Sequence, residues 1–459
     1  MSTSYSPLGL SAFETLQADR EPWLAEAFVP PRVYNLIAGQ NSTIIYGATG
    51  AGKSTVLQML KKQYLVESHD QPHLLIVEWK PVPQESQEQV DPARWQLEIT
   101  KQLSLTLLEL LSANDTLRDL APNWAISIFD AFIRTYPPDW MEMTLFRLSG
   151  QATDAGQIWL KSFETIQPDQ AKLQYSMTHL PRLRSIEHLL SSLQTIQMAG
   201  IWVLIDGLER WGRFGKAQLD DQIRDFLSSL IWFEQPGLLF KIVIPDDWKP
   251  MIRKSGAIQR RRLDEFTLRW RREDLETIAS RRLTLATGYP EFDLGHLCSD
   301  CGLEQWLWQY GGKTPRGWLL LLRDIYNEYH NQNNDPISSE QWQKLRRQIM
   351  PPLRIAEDSR VLIGHHEITG LPERSSAMLE YLYKKRRLCS RQELYYRAYR
   401  GYARVPIDHK DNLWEYPDDW RGIIDTALWR LRKAIEPDPN NPIFLINIRG
   451  RGIKLEHTE

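Results

Sequence analysis

The sequence predicts an α/β fold built on a parallel sheet, followed by a smaller C-terminal module of helices and a β-hairpin. Three observations lead there. A glycine-rich turn sits between an apolar strand and a helix at residues 44–60. Three further apolar runs, each long enough for a buried strand, are separated by helix-patterned segments. Near the end of the chain, a helix-period apolar stripe meets a proline stop and then two short β-rich runs joined through glycines.

The turn reads "IIYGATGAGKSTVLQML". Gly47, Gly52, Lys53 and Ser54 satisfy G-x-x-x-x-G-K-[ST]. Before them, "STIIYG" is β-branched and short. After them, Val56, Met59, Leu60 and Tyr64 recur at helical spacing. In that context the residues Gly47, Gly50, Ala51, Gly52, Lys53, Ser54 and Thr55 form a phosphate cradle. Glycines let backbone N–H groups close around phosphate oxygens, and the helix N-terminus adds its dipole. Lys53 is placed to reach the β and γ phosphates, and the Ser54 hydroxyl to hold magnesium. The expected ligands are ATP and Mg2+. The alternative is a glycine-rich turn without a ligand.

Such a cradle needs an acidic partner on a neighbouring strand. The run "GIWVLIDGLERW" supplies one. Ile201 to Ile205 read as a strand buried on both faces, and Asp206 stands at its C-terminal end, where parallel sheets place ligand chemistry. Asp206 is the expected magnesium carboxylate. Glu209 is the candidate for polarising an attacking water. Lys53, Asp206 and Glu209 thus form the candidate catalytic set. Asp206 also suits a helix N-cap, and Glu209 a solvated surface position. The runs "HLLIVEW" and "LLFKIVIP" extend the sheet. About 150 residues separate Lys53 from Asp206, far more than the dozen or so that a crossover requires. Residues 92–198 fill that gap with helix-period segments such as "WQLEITKQLSLTLLELLS", which predicts a helical insert.

Composition sets the bounds. The net charge is −2, so no global field argues for nucleic acid and any basic surface must be local. The first residues lack a cationic start followed by an apolar run, which argues against a secretory signal. No segment approaches the roughly 20 apolar residues of a membrane span. Three cysteines in so long a chain point to a reducing compartment, the cytoplasm. Cys298 and Cys301 form a C-x-x-C beside His296, but a zinc site needs a second ligand pair, and two ordinary thiols are expected.

The D-x-x-E form of "LIDGLERW" resembles the signal-transducing STAND branch of AAA+-like P-loop ATPases. "FTLRWRREDLETIASRRL" resembles the segment leading such modules into a helical lid, and "YGGKTPRGWLLLLRDIYNEY" resembles their "GGxPR" motif. The resemblance spans residues of about 13 to 330. It implies a nucleotide-binding core over 1–255, a helical lid over 256–350, Pro315 packed near adenine and Arg316 directed toward the phosphates. The bare reading of "TPRG" is a turn that starts a helix with proline near its first position. One departure stands out. Relatives often carry a polar or arginine sensor after the strand ending at Ile244, where this chain has Pro245, Asp246 and Asp247. That weighs against fast hydrolysis more than against binding.

A polar, turn-rich stretch, "NQNNDPISSE", and the pair Pro351–Pro352 precede the last module. It reads as two short strands, a helix from about Glu373, a second helix after the N-cap candidate Ser390, a third helix and a hairpin. "SRQEL", "RLRKAIEPD" and "INIRGRGIKL" resemble the OmpR-like winged-helix DNA-binding domain, expected over 353–459. In the third helix, Ile424, Leu428, Leu431 and Ile435 form one apolar stripe. Thr426, Trp429, Arg430 and Lys433 fall opposite it, on the face suited to a DNA major groove. Arg449 and Arg451 sit where a hairpin tip meets the minor groove or phosphates, and Lys384, Lys385, Arg386 and Arg387 could add phosphate contacts. The resemblance implies double-stranded DNA as a partner and contact with RNA polymerase. A separate effector protein and a nucleotide-dependent homo-oligomer are further candidate partners. Winged helices also serve as protein-docking modules, so the alternative is an ATPase of anti-phage defence or DNA mobilisation that docks a partner chain.

Overall fold

The computed structural model describes residues 7–64, 73–81, 92–164, 168–208, 223–224, 226–255, 258, 260–299, 301–356, 358–407, 410–411 and 420–459. The chain divides into two compact units. One is Leu16–Trp270; the other gathers Arg271–Glu459 with the N-terminal segment that ends at Thr15.

The first unit is built on a five-stranded sheet. Its strands are β1 (Thr43–Gly47), β2 (His73–Trp79), β3 (Met198–Ile205), β4 (Leu238–Pro245) and β5 (Asp264–Thr267). They lie in the order β2-β3-β4-β1-β5, and every neighbouring pair is parallel. The four apolar runs read from the sequence are β1 to β4. The fifth strand, "DEFT", escapes a hydrophobic reading because it is an edge strand whose four residues are all half-buried.

Both faces of the sheet are covered, and β3 shows how. Trp202 and Leu204 point to one face, where they meet Val56, Leu57 and Leu60 of helix α1 (Lys53–Tyr64). Ile201, Val203 and Ile205 point to the other. There they meet Trp95, Ile99 and Leu103 of α2 (Pro92–Ala113), Phe129 and Phe132 of α3 (Asn123–Thr135), and Leu189 and Leu193 of α4 (Arg182–Thr195). The helical insert is therefore the second covering layer of the sheet. A two-sided parallel sheet requires such a layer.

One charged side chain crosses this core. Lys241, on central strand β4, is fully buried. Its Nζ donates to the carbonyl oxygens of Gly39 and Asn41, both at 2.7 Å, and lies 4.6 Å from the centre of the Trp202 ring. These bonds tie the chain just before β1 to the middle of the sheet. Burial pushes the Lys241 ammonium down to about 7, partly opposed by Asp264. Above that pH the neutral amine still supplies two N–H donors for the two carbonyls.

In the second unit, α5 (Arg272–Thr287), α6 (Leu303–Tyr310), α7 (Pro315–Asn331) and α8 (Ser339–Gln348) form a helical array. The N-terminal segment packs into it. The Phe13 ring lies 5.4 Å from that of Tyr326, and Arg282 Nη1 donates to Ala12 O at 3.0 Å. Between the helical turn Leu294–Leu297 and α6, Cys298 and Cys301 are joined as a disulfide with a Cα separation of 5.9 Å. This corrects the expectation of two ordinary thiols. The two cysteines are three positions apart, close enough along the chain for their sulfurs to meet. His296 is engaged with Asp293, its Nδ1 at 2.7 Å from Oδ1. Among the described residues no His/Cys/Asp/Glu group could hold a metal.

The unit continues with β6 (Leu353–Ile355), β7 (Val361–Ile363) and β8 (His366–Ile368) in an antiparallel sheet. Helix α9 (Glu373–Lys385) comes next, and later α10 (Trp420–Ile435) and the antiparallel hairpin of β9 (Leu445–Ile448) and β10 (Gly452–Leu455). The expected second helix is present between α9 and α10 as a short helical segment, Arg391–Glu393 continued by Leu394–Tyr399, and Ser390 caps its start, its Oγ accepting from Glu393 N at 3.0 Å. Among the described residues no helix is long and apolar enough to cross a membrane.

The Lys241 contact has a testable sign. The unfolded lysine titrates near 10.5 and the folded one near 7. Between those values the unfolded chain binds a proton that the folded chain does not, so stability rises with pH. Urea midpoints measured at pH 7, 8 and 9 should climb in the wild type and stay flat in Lys241→Met. Equal slopes in the two proteins would contradict this account.

Candidate functional site

At the C-terminal edge of the sheet, β1 runs into the glycine-rich turn and α1 begins at Lys53. Gly50 and Gly52 take left-handed backbone angles, φ +81° and +88°. A Cβ on Gly47 would stand 3.1 Å from the Ala51 Cβ and 3.3 Å from Lys53 Cγ, so a side chain there would have to displace its neighbours by a few tenths of an ångström. The Lys53 Nζ donates to Gly47 O at 2.7 Å and Ala48 O at 3.1 Å. The lysine is thus folded back over the turn it belongs to. Ser54 is exposed at the start of α1, while Thr55 is half-buried.

Asp206 comes directly after β3 at the same edge. Its backbone N–H donates to Trp79 O at 3.2 Å, which fixes it to β2. Its Oδ1 accepts from Gly207 N at 2.8 Å, and Gly207 turns the chain with φ +83°. The first unit therefore gathers Gly47, Gly50, Ala51, Gly52, Lys53, Ser54, Thr55 and Asp206 at one edge. Glu209 lies outside the described residues. Pro315 and Arg316 belong to the second unit. Pro315 is the first residue of α7, Thr314 caps that helix by accepting from Gly317 N at 3.4 Å, and Arg316 is exposed.

One residue at this edge was not anticipated. Trp270, the last residue of the first unit, is buried and donates its indole N–H to Ala51 O at 2.9 Å. Its ring lies 3.9 Å from where a Gly52 Cβ would be. Trp270 thus props the turn from the side of β5. The only signal in the sequence is a tryptophan three residues beyond a strand end, in "FTLRW", which the pattern alone does not connect to the turn.

In the second unit, the stripe Ile424, Leu428, Leu431 and Ile435 is buried. Thr426, Trp429, Arg430 and Lys433 are all exposed on the opposite face of α10, Trp429 by 57%. The Lys433 ammonium lies 5.2 Å from the Trp429 ring centre, a cation–π pair on the surface. Arg430 and Thr426 line a groove of about 490 Å³ together with Arg374 and Tyr399.

The hairpin carries Arg449 and Arg451 exposed at its tip, and Gly450 turns the chain with φ +74°. Cys389 and Ile453 exchange backbone hydrogen bonds of 2.9 and 2.8 Å, which pin the hairpin to the turn after α9. A Cβ on Gly452 would stand 2.2 Å from Cys389 O, so this approach requires glycine. The connection from α10 to β9 is held by Glu436, whose buried carboxylate accepts from the N–H groups of Ile443, Phe444 and Leu445 at 2.6–3.0 Å. Of the basic run that spans the end of α9, Arg387 is paired with Glu393 at 2.5 and 3.0 Å, and Arg386 donates to Glu459 O at 2.7 Å. Those two arginines have internal partners, which reduces the run as a phosphate-binding patch.

The sheet order, the turn and Asp206 at its edge fit an α/β P-loop NTPase fold. No family model matches the chain. Among curated proteins, the Sensory transduction protein RegX3 of Mycolicibacterium smegmatis is 32% identical over 108 residues, that of Mycobacterium tuberculosis 31% and that of Mycobacterium leprae 32% over the same length. These similarities take in 23% of this chain and 40%, 40% and 46% of the relatives' own lengths. Among solved structures, the Aeropyrum pernix ORC1 protein in complex with DNA aligns over 100% of this chain and 95% of its own, at 12% identity and a TM-score of 0.34. A likeness at that score carries no argument about fold or function.

Three variants test the geometry of these sites. Trp270→Phe keeps most of the packing and removes one hydrogen bond, a loss of about 1 kcal/mol. Calorimetric titration with ATP and Mg2+ should show affinity lowered roughly fivefold, against a near-complete loss in Lys53→Ala. An unchanged affinity in both variants would refute the cradle. Glu436→Ala leaves three backbone N–H groups without their carboxylate, at a cost of about 3 kcal/mol or more. Hydrogen exchange at Phe444 and Leu445 should accelerate strongly in that variant, and unaltered protection would contradict the role given to Glu436.

Proposed function

We propose that this chain is a nucleotide-controlled switch whose output is DNA binding by its C-terminal segment, and that it regulates transcription. The observation that carries the reading is the pairing, in one chain, of two separate pieces of chemistry. The first unit has a closed glycine turn with a lysine and an aspartate at one sheet edge. The second has an exposed helix face of Thr426, Trp429, Arg430 and Lys433 beside a hairpin tipped by Arg449 and Arg451.

The donor set fits ATP and Mg2+. The left-handed glycines turn the backbone of the cradle, and Lys53 is close enough to exchange its carbonyl partners for phosphate oxygens. The Ser54 hydroxyl and the Asp206 carboxylate are the hard oxygen ligands that magnesium prefers. Glu209 is assigned to polarising water. Pro315 and Arg316 are assigned to adenine packing and phosphate contact from a helical lid, so that lid position would depend on ATP or ADP. Hydrolysis in this reading is slow, below the ~10 per second of a median enzyme.

The segment 353–459 is read as a winged helix of OmpR-like type, and the 108-residue similarity to a sensory transduction protein, about as long as that segment, supports a regulatory role. Double-stranded DNA is its proposed ligand, with RNA polymerase and a nucleotide-dependent homo-oligomer as further partners. A second reading has one observation in its favour. Trp429, 57% exposed in the centre of the face, also suits protein docking. The chain would then be an ATPase of anti-phage defence or DNA mobilisation that recruits a separate effector.

Anisotropy titrations at several salt concentrations separate the two readings. Arg430→Ala should lose about 1–3 kcal/mol of discrimination at one base pair. Arg449→Ala and Arg451→Ala should instead weaken binding to every sequence and flatten its salt dependence. A full-length protein that binds no DNA at low salt, with or without nucleotide, would favour the docking reading.

A further inference from the structure

The helical insert carries an apolar ridge on its outer side. On the helix Met141–Ser149, Phe146 is 85% exposed and Met143 69%, and Trp140, the residue that precedes the helix, is 80% exposed. A spacing of three puts these side chains on one side of the helix. Trp140 also takes left-handed backbone angles, φ +57°, a strained choice for so bulky a residue. The other side of the helix faces inward: Leu148 is buried, and Met141 and Leu145 pack against the core. Ion pairs near both ends tie the helix to α2. Lys101 Nζ lies 2.6 Å from Asp139 Oδ1, and Arg147 Nη2 lies 2.9 Å from Glu109 Oε1. The ridge is thus aimed outward by packing on its inner side. Exposed apolar surface of this kind marks an interaction site.

The charges beside the ridge point to its occupant. At 3.6 residues per turn, Met143 and Phe146 lie near the middle of the exposed face. Glu142 stands on one flank and Arg147 on the other, both exposed. In heptad terms Met143 and Phe146 take the a and d positions, Glu142 the g before them and Arg147 the e after them. Two copies of this helix, parallel and related by a two-fold axis along their length, set Glu142 of each copy against Arg147 of the other. Antiparallel copies would instead bring like flanks together. The face is therefore complementary to itself in charge, as an isologous contact requires. Arg147 can hold both Glu109 and a second carboxylate, because a guanidinium has five N–H donors.

We propose that the insert is a dimerisation surface, on which the helix Met141–Ser149 packs in parallel against the same helix of a second chain. The contact is separate from the phosphate cradle and needs no nucleotide. Its size sets its strength. Aromatic side chains bury roughly 150–250 Å² each, so Trp140 and Phe146 supply about half of the ~800 Å² that one partner gives to a standard interface. One heptad makes a weak dimer, with a Kd of the order of 10 μM.

The test is sedimentation velocity of the full chain without nucleotide, over about 1 to 100 μM, a range that brackets that constant. The wild type should pass from monomer to dimer. Phe146→Ala and Trp140→Ala should each raise the Kd at least ~tenfold, the effect of truncating an interface anchor. Circular dichroism of both variants should match the wild type, since the two side chains are exposed in the single chain. Glu142→Arg and Arg147→Glu should each be monomeric alone, because like charges then face each other across the pair. Mixed together, those two variants should associate, because the mixture restores both pairs. A wild type that stays monomeric overturns the inference and leaves the ridge to a different protein. A dimer that Phe146→Ala leaves intact overturns it as well, and charge variants that do not associate on mixing contradict the parallel arrangement. A dimer that forms only with ATP and Mg2+ and ignores Phe146→Ala is the nucleotide-dependent oligomer of the proposed function, built elsewhere, and also counts against the ridge.

Discussion

The parallel pairing of β1 with β4, with β3 on the far side of β4, is the constraint on which the rest of the first unit depends. It brings the ends of three strands to one edge: the glycine turn, Asp206, and the residues after Pro245. A slip of one residue between β1 and β4 would turn Ile44 and Tyr46 to the opposite face and carry the turn away from Asp206. The register is held by burial on both faces. It is held as well by Lys241, which reaches from β4 to the carbonyls of Gly39 and Asn41 just before β1. A buried amine costs desolvation energy, and here the return is a fixed strand order at the place where phosphate chemistry is proposed.

The length of the chain between Lys53 and Asp206 has its origin in the same constraint. A parallel sheet must be covered on two sides, and α1 covers only one. The insert supplies the other layer through Trp95, Phe129, Leu189 and their neighbours. Trp270 then links the finished sheet to the turn, through a single hydrogen bond at the last residue of the unit. In the second unit a comparable role falls to Glu436, one carboxylate bonded to three consecutive N–H groups, which sets the hairpin against the helix whose outer face carries Arg430.

Much of this was legible in the sequence where physics leaves a local trace. The glycine turn has its motif, β1 to β4 have apolar runs, and the stripe from Ile424 to Ile435 has a helical period. What was not legible depends on partners distant in the chain. β5 is short, acidic and half-buried, so it has no apolar signature, and only pairing with β1 makes it a strand. Trp270 and Glu436 are ordinary residues until the fold places Ala51 O and three N–H groups beside them. Cys298 and Cys301 read as thiols in the sequence because their spacing alone does not distinguish a free pair from a disulfide. Arg386 and Arg387 looked like free cations, yet Glu459 O and Glu393 take them up.

The central claim is that nucleotide state and DNA binding are coupled in one chain. The most direct measurement is DNA affinity of the full-length protein loaded with ADP or with ATP, paired with nucleotide affinity in the presence and absence of DNA. Linkage requires the two factors to be equal, and an allosteric pair typically gives about 5- to 150-fold. The account predicts that such a factor appears in both directions. DNA affinity that is the same with ADP, ATP and no nucleotide would contradict it.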